Sequence, residues 1–138
     1  MADEIKMTAA ITVLASNFNE TINPGQISID LPSGPVLASE AGLQTCATTA
    51  GGVDLKVGNV TSSNDGGIFF FRNTDTTASN NIEIGENIGG TFYAWLLLQP
   101  GEFATGRLSS RYPAAQALRC RSTQNAPVLQ YRIFSGSL

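Results

Sequence analysis

Apolar and polar residues alternate with a period of two along most of the chain, which is the pattern of strands with one buried face. In the first such segment, one face would hold Ile5, Met7, Ala9, Ile11 and Val13. The same alternation marks residues 27–31, 53–57, 82–84, 118–121 and 129–133. Gly, Pro, Asn and Ser residues separate these segments and predict turns. The pattern predicts an all-β fold.

Two segments are more apolar than an alternating strand. "GIFFFRN", residues 67–73, predicts a central strand, and "TFYAWLLLQ", residues 91–99, predicts a strand at the centre of the core with both faces covered. Gln99-Pro100-Gly101-Glu102 predicts a tight turn, because proline suits its second position and glycine its third. "EFATGRL" then returns as the next strand, in the same sheet or in an opposite one.

Roughly eight to ten short antiparallel strands with few candidate helices predict a single-domain β-sandwich of jelly-roll-like topology over residues 1–138, with residues 1–6 as a flexible arm. "YPAAQAL", residues 112–118, is a candidate helical turn. Composition agrees, because 138 residues at 42% hydrophobic form one core. A charged fraction of 14% lies below the roughly 25% of an average domain and favours strands with many turns.

Charge is distributed unevenly along the chain. Every Asp and Glu lies at or before Glu102, whereas five arginines follow it. This asymmetry predicts an oriented surface. We name Arg107, Arg111, Arg119 and Arg121 as candidate partner-binding residues, because guanidinium groups pair bidentately with carboxylates. The alternative is that these arginines only solvate the outside of a sheet.

Cys46 and Cys120 belong to no metal-binding spacing. No N-terminal stretch resembles a secretion signal, and no apolar run approaches the roughly 18 to 20 residues that cross a bilayer. We therefore expect folding in the cytoplasm, no membrane partner and two partly buried free thiols. A disulfide remains the alternative if the strands that carry the two cysteines are neighbours.

The chain contains no histidine, which excludes the Ser-His-Asp triad and the common zinc sites. Glu83, Glu86 and Glu102 could in principle form a glycosidase pair, but strand-face and turn positions explain them as well. "NDGG" and "NTDTT" carry oxygen ligands without the spacing of a calcium loop, and capping of the loop explains them. We predict no catalytic residues, no metal, no cofactor and no nucleic-acid partner.

The second half of the chain also carries a resemblance. "NIEIGENIGGTFYAWLLLQPGEFATGRL", "LRCR" and "PVLQYRIF", within residues 68–134, resemble small β-rich virion proteins of tailed bacteriophages, of the capsid decoration or cement type. The matching motifs are the Glu-Ile-Gly strand end at 83–85, the Gly-Thr-Phe strand at 90–92, the turn at 98–103 and the last strand at 129–134. The segment around Pro113 and the lone Trp95 depart from that pattern.

The resemblance implies a non-enzymatic structural protein on the head surface of the virion, made in the host cytoplasm. It would bind the major capsid protein after the head expands. Independently of the resemblance, the acidic first part and the basic last part of the chain could pair with copies of itself, and symmetry suggests a dimer or trimer. A tail or neck accessory protein is one alternative. The other is a carbohydrate-binding sandwich for host attachment, which needs exposed aromatic residues. Tyr93 and Trp95 could serve there, although their leucine neighbours predict that they lie in the core.

Overall fold

The computed structural model describes residues 4–15, 18–30, 39–56, 67–108 and 118–135. These residues form only β-strands and turns, as the alternation predicted. The twelve strands are β1 (Glu4–Thr8), β2 (Ile11–Ala15), β3 (Phe18–Ile22), β4 (Gln26–Asp30), β5 (Ser39–Thr45), β6 (Val53–Asp54), β7 (Gly67–Asn73), β8 (Ile82–Ile88), β9 (Thr91–Leu98), β10 (Phe103–Arg107), β11 (Arg119–Ser122) and β12 (Val128–Ser135). The candidate helical turn at 112–117 lies outside the described residues.

The last eight strands form two four-stranded antiparallel sheets. Sheet I has the order β10-β7-β12-β5, and sheet II has the order β6-β11-β8-β9. The pairing is nested, because β5 pairs with β12, β6 with β11, β7 with β10 and β8 with β9. In addition, β7 pairs with β12 and β8 pairs with β11. Such a long antiparallel hairpin, folded over into two sheets, is the topology of a jelly roll. The predicted sandwich is confirmed.

One apolar cluster fills the space between the two sheets. Phe71, Leu129 and Ile133 contribute from sheet I, and Ile82 and Ile84 contribute from sheet II. All five side chains are fully buried, and, apart from Gly85 after Ile84, their neighbours in the strands are exposed or half-buried. Burial of such a side chain contributes about 1.5–3 kcal/mol, so this cluster holds the sheets face to face.

Asn73 is a fully buried polar residue at one corner of this sandwich, where β7 ends. Its side-chain amide donates to the carbonyl oxygens of Asn80 at 2.8 Å and Leu98 at 3.2 Å, and its Oδ1 accepts from the Asp75 N–H at 3.0 Å. The backbone of Asn73 pairs with the turn that follows β9, at Gly101 and Glu102. One side chain therefore ties sheet I to the end of sheet II.

The tight turn predicted at Gln99–Glu102 is confirmed. The Glu102 N–H donates to the Gln99 carbonyl at 3.0 Å, and Gly101 has the positive φ, 81°, that the third position of a type II turn requires. The Glu102 carboxylate also accepts from the Gln99 N–H at 2.8 Å. This turn carries the chain from sheet II to sheet I, so "EFATGRL" returns in the opposite sheet.

The prediction that "TFYAWLLLQ" forms the centre of the core is wrong. β9 is an edge strand, and Tyr93, Trp95 and Leu97 are 53%, 42% and 50% exposed. A β-bulge opposite Gly85 places one extra residue in β9, which breaks the simple alternation of buried and exposed positions. A mainly apolar run therefore marks an edge strand here, and periodicity could not show this.

The first four strands form two antiparallel pairs, β1 with β4 and β2 with β3. β3 and β5 occupy stretches in which the alternating pattern marked no strand. The chain divides into two compact units, Met1–Pro35 and Val36–Ser137. Of the predicted flexible arm, residues 4–6 belong to β1, and residues 1–3 lie outside the described part. Whether the two units form a single domain remains a prediction.

We expect Asn73→Ala to lower the free energy of unfolding by about 2–4 kcal/mol, because two buried carbonyl oxygens and one N–H lose their partner. Chemical denaturation measures this difference. Gln130→Ala is the control, since Gln130 is exposed on the same sheet. Equal stability of the two variants would contradict the structural role of Asn73.

Candidate binding surfaces

The outer face of sheet I carries an unusual set of side chains. Alternate residues of its four strands point away from the core, and their registers form three rows across the sheet. One row holds Leu43, Gln130, Arg72 and Phe103, the next holds Ala41, Arg132, Phe70 and Thr105, and the third holds Phe134 and Arg107 on either side of Ile68, which is buried. Each row contains one arginine. We call Leu43, Phe70, Arg72, Phe103, Arg107, Arg132 and Phe134 the arginine–aromatic face.

Large apolar side chains on this face are in contact with solvent. Leu43 is 70% exposed and Phe103 is 63% exposed. The rings of Phe70 and Phe103 stack with centroids 6.0 Å apart, and the Arg132 guanidinium lies 5.7 Å from the Phe134 ring centroid. An open depression of about 680 Å³ lies on the same face, over the paired strands β5 and β12. Exposed apolar groups beside arginines are typical of the centre of a protein interface.

The charge of the arginine–aromatic face has one sign. Arg72, Arg107 and Arg132 are exposed, and none of them makes an ion pair within the part of the chain that the structure describes. The described outward positions of β5, β7, β10 and β12 include no Asp or Glu. The face is therefore cationic even though the whole chain has a net charge of -3.

Arg119 and Arg121 lie on the outer face of sheet II, where both form ion pairs and hydrogen bonds with other residues of the chain. Arg119 pairs with Asp54 and donates to the Gly51 carbonyl at 2.9 Å. Arg121 pairs with Glu83, donates to the Ala50 carbonyl at 3.1 Å and stacks 4.4 Å from the Phe92 ring centroid.

The structure separates the four predicted arginines. Arg107 lies on the arginine–aromatic face, Arg119 and Arg121 lie on the opposite face of the sandwich, and Arg111 lies outside the described residues. All the described ones point away from the core, as the alternation predicted. Arg72 and Arg132 were missed as candidates. Alternation alone shows that Arg72 and Phe70 share one face of their strand, and that Arg132 and Phe134 do so in theirs. Only the strand order shows that these two strands are neighbours, so that the two pairs lie side by side.

Tyr93 and Trp95 form a second exposed aromatic site, at the edge of sheet II. Trp95 contacts the core on one side, with its ring centroid 6.0 Å from that of Phe69 and 6.5 Å from that of Phe71. Its 42% exposed fraction, beside the 53% exposed Tyr93, leaves aromatic surface open to solvent.

The polar loop 74–81 is stabilised by its own side chains. The Asp75 carboxylate accepts from the Thr77 N–H at 2.7 Å and from the Asn80 amide at 3.0 Å, and these bonds hold the pKa of Asp75 below its ordinary value. This geometry confirms the predicted capping role of "NTDTT"; "NDGG" lies mainly outside the described residues. No group of three or more Cys, Asp or Glu side chains that could hold a metal ion occurs within the described ranges.

Of the glutamates considered for catalysis, Glu83 lies in a strand and Glu102 in a turn, as expected, whereas Glu86, expected in a turn, lies half-buried within β8. Glu83 pairs with Arg121, Glu102 closes its turn, and Glu86 lies in β8 opposite Tyr93.

Comparisons with protein-family models, with curated proteins and with solved structures found no match for this chain. Among the described residues there is no helix long and apolar enough to cross a membrane.

The two sets of arginines should differ in their effect on stability. We expect Arg121→Ala to lower the free energy of unfolding by about 1–3 kcal/mol, because it removes a half-buried ion pair, a hydrogen bond and a cation–π contact. Arg132→Ala should change it by less than about 0.5 kcal/mol, as at other exposed sites. Denaturant titration of both variants tests this difference. A large loss of stability in Arg132→Ala would mean that Arg132 has a structural role.

Proposed function

We propose that this protein is a non-enzymatic structural component of a phage virion, a decoration or cement protein of the head. It binds the outer surface of the mature head and bridges neighbouring major capsid subunits. The observation that carries this proposal is the arginine–aromatic face, a cationic and apolar sheet surface. The resemblance of residues 68–134 to small phage virion proteins supports it, and jelly rolls occur among viral structural domains. Because a fold alone does not set a function, the surface is the main argument.

The chemistry of this face defines the surface that it would bind. Arginine and aromatic side chains supply much of the binding energy at the centres of interfaces. Arg72 and Arg132 lie diagonally on neighbouring strands, about 7–8 Å apart at Cα. A matching capsid surface would present carboxylates at similar spacing with apolar side chains between them. Such charge complementarity raises the association rate and selects the correct partner.

A lattice partner explains how a small face can stabilise a shell. A ligand that binds only the assembled, expanded lattice stabilises that lattice by mass action. Copies that contact each other, as a dimer or trimer, would add avidity to each single contact. The hairpin formed by β2 and β3 offers an additional contact, because Ile11 and Ile22, which pair across it, are 60% and 50% exposed.

We expect the purified protein to co-sediment with expanded phage shells that lack it, in a fixed ratio to the major capsid protein. Binding should weaken as salt concentration rises, because screening reduces the attraction between exposed charges. The double variant Arg72→Glu/Arg132→Glu should bind at least about tenfold more weakly than the wild type, since two attractive contacts become repulsive.

Lys56→Glu is the control for charge reversal, compared with the single variant Arg132→Glu, which changes the net charge by the same two units. Lys56 is an exposed cation that follows β6, outside the arginine–aromatic face. This variant should bind like the wild type. Absence of saturable binding to shells at any salt concentration would overturn the head-surface proposal and would direct the same assay to tail and neck complexes. Equal losses in both variants would mean that net charge, rather than this face, drives binding.

A carbohydrate-binding role is the second candidate, and the exposure of Tyr93 and Trp95 favours it. Exposed aromatic faces beside polar groups can stack on sugar rings, and jelly rolls are also found in lectins. The two candidates use different surfaces, because Tyr93 and Trp95 belong to the edge of sheet II.

Trp95 is the only tryptophan, so its fluorescence reports on this site. We expect acrylamide to quench its emission substantially in the folded protein, because 42% of the residue is exposed. Protection from quenching by a glycan of the host surface, lost in Tyr93→Ala but kept in Phe103→Ala, would support the carbohydrate role. No protection by any glycan of the host surface would count against it.

A further inference from the structure

Cys46 and Cys120 come together in the core although 74 positions separate them in sequence. Cys46 directly follows β5 at the edge of sheet I, and Cys120 lies in β11 inside sheet II. Their Sγ atoms are 2.6 Å apart, and both side chains are completely buried. Both are free thiols in this structure, at a separation longer than the roughly 2.05 Å of a disulfide bond but short enough for a bond to form with a small movement of the sulfur atoms.

Backbone hydrogen bonds on both sides hold the two cysteines in this position. The Cys46 N–H donates to the Pro127 carbonyl at 2.9 Å, next to β12. The Ser122 N–H of β11 donates to the Ala47 carbonyl at 3.0 Å. Residues 46 and 47 therefore cross from one sheet to the other, and the crossing itself aligns Cys46 with Cys120.

We propose that Cys46 and Cys120 form a disulfide that links the two sheets of the jelly roll when the chain folds in the presence of a low-molecular-weight disulfide. One cysteine thiolate attacks the small disulfide, forms a mixed disulfide and releases one small thiol. The other cysteine then attacks the protein sulfur of the mixed disulfide and releases the second small thiol. The small disulfide is reduced by two electrons, and the two cysteine protons pass to the released thiols.

The folded state controls when this exchange occurs. The hydrogen bond between the two thiols and burial raise the pKa of Cys46, so its thiol stays protonated near neutral pH. Because only a thiolate attacks a disulfide, the fully folded reduced protein should react slowly. The bond therefore forms during folding or on local opening of the 46–47 crossing. This inference is independent of the proposed role in the virion.

The test begins with unfolded, reduced full-length protein that is refolded with a mixture of reduced and oxidised glutathione. Remaining thiols are then alkylated in denaturant, and the intact mass is measured without reductant. We expect no alkylation, a mass lower by two hydrogen atoms, and one cross-linked peptide pair that contains Cys46 and Cys120. The oxidised protein should melt roughly 5–15 °C above the reduced protein, because the link closes a long loop in the unfolded chain.

The variant Cys46→Ala/Cys120→Ala should melt at the same temperature with and without reductant. If this variant fails to fold, the intact mass and peptide map of the wild type still show whether the disulfide between Cys46 and Cys120 has formed. Two alkylated cysteines after oxidative refolding, or a stable adduct of one cysteine with glutathione, would overturn the proposal. Disulfide-linked dimers in place of the internal bond would also overturn it.

Discussion

The side chain of Asn73 is the polar contact on which the closure of the sandwich depends. Two sheets can pack their apolar faces together only if the backbone groups at the corners, where the chain passes between sheets, find partners out of water. At the corner after β9, the Asn73 amide supplies those partners for Leu98 and Asn80, while its backbone holds the tight turn. An apolar residue there would leave several buried carbonyl and N–H groups without hydrogen bonds. At another corner, where residues 46–47 cross between the sheets, backbone hydrogen bonds to both sheets satisfy the backbone groups in the same way.

This closure gives the two outer faces of the sandwich different properties. On sheet II, Arg119 and Arg121 are balanced by Asp54 and Glu83, and each also donates a hydrogen bond to a nearby backbone carbonyl. On sheet I, the outward positions have no such carboxylates in the described part of the chain, so arginines stand beside exposed phenylalanine and leucine side chains. A surface with these properties is costly to leave in water unless a partner covers it. The difference between the faces, rather than the number of arginines, supports a role in binding.

The sequence predicted the fold class well because a half-buried strand must alternate, and alternation can be seen in the sequence. β11 and β12 are examples of this alternation. The turn at Gln99–Glu102 was also predicted, because proline and glycine act locally. The environment of β9 could not be predicted, because β9 pairs only with the preceding strand β8, and its edge position depends on whether a distant strand pairs on its other side. The arginine–aromatic face was found only in part for the same reason. Arg72 and Arg132 are 60 positions apart in the chain, and only the antiparallel register of β7 and β12 brings them together.

The edge position of β9 also bears on how the protein meets a partner. An exposed sheet edge invites another strand to pair, and proteins commonly prevent this with bulges and short strands. The bulge of β9 opposite Gly85 disrupts the regular ladder, and a Cβ at position 85 would lie 2.0 Å from the Tyr93 carbonyl oxygen, so the close approach requires glycine. At the other edge of sheet II, β6 has only two residues. With both edges of sheet II poorly suited to strand addition, contacts of this sandwich with another protein are better served by its outer faces, and the arginine–aromatic face is the one with unbalanced charge.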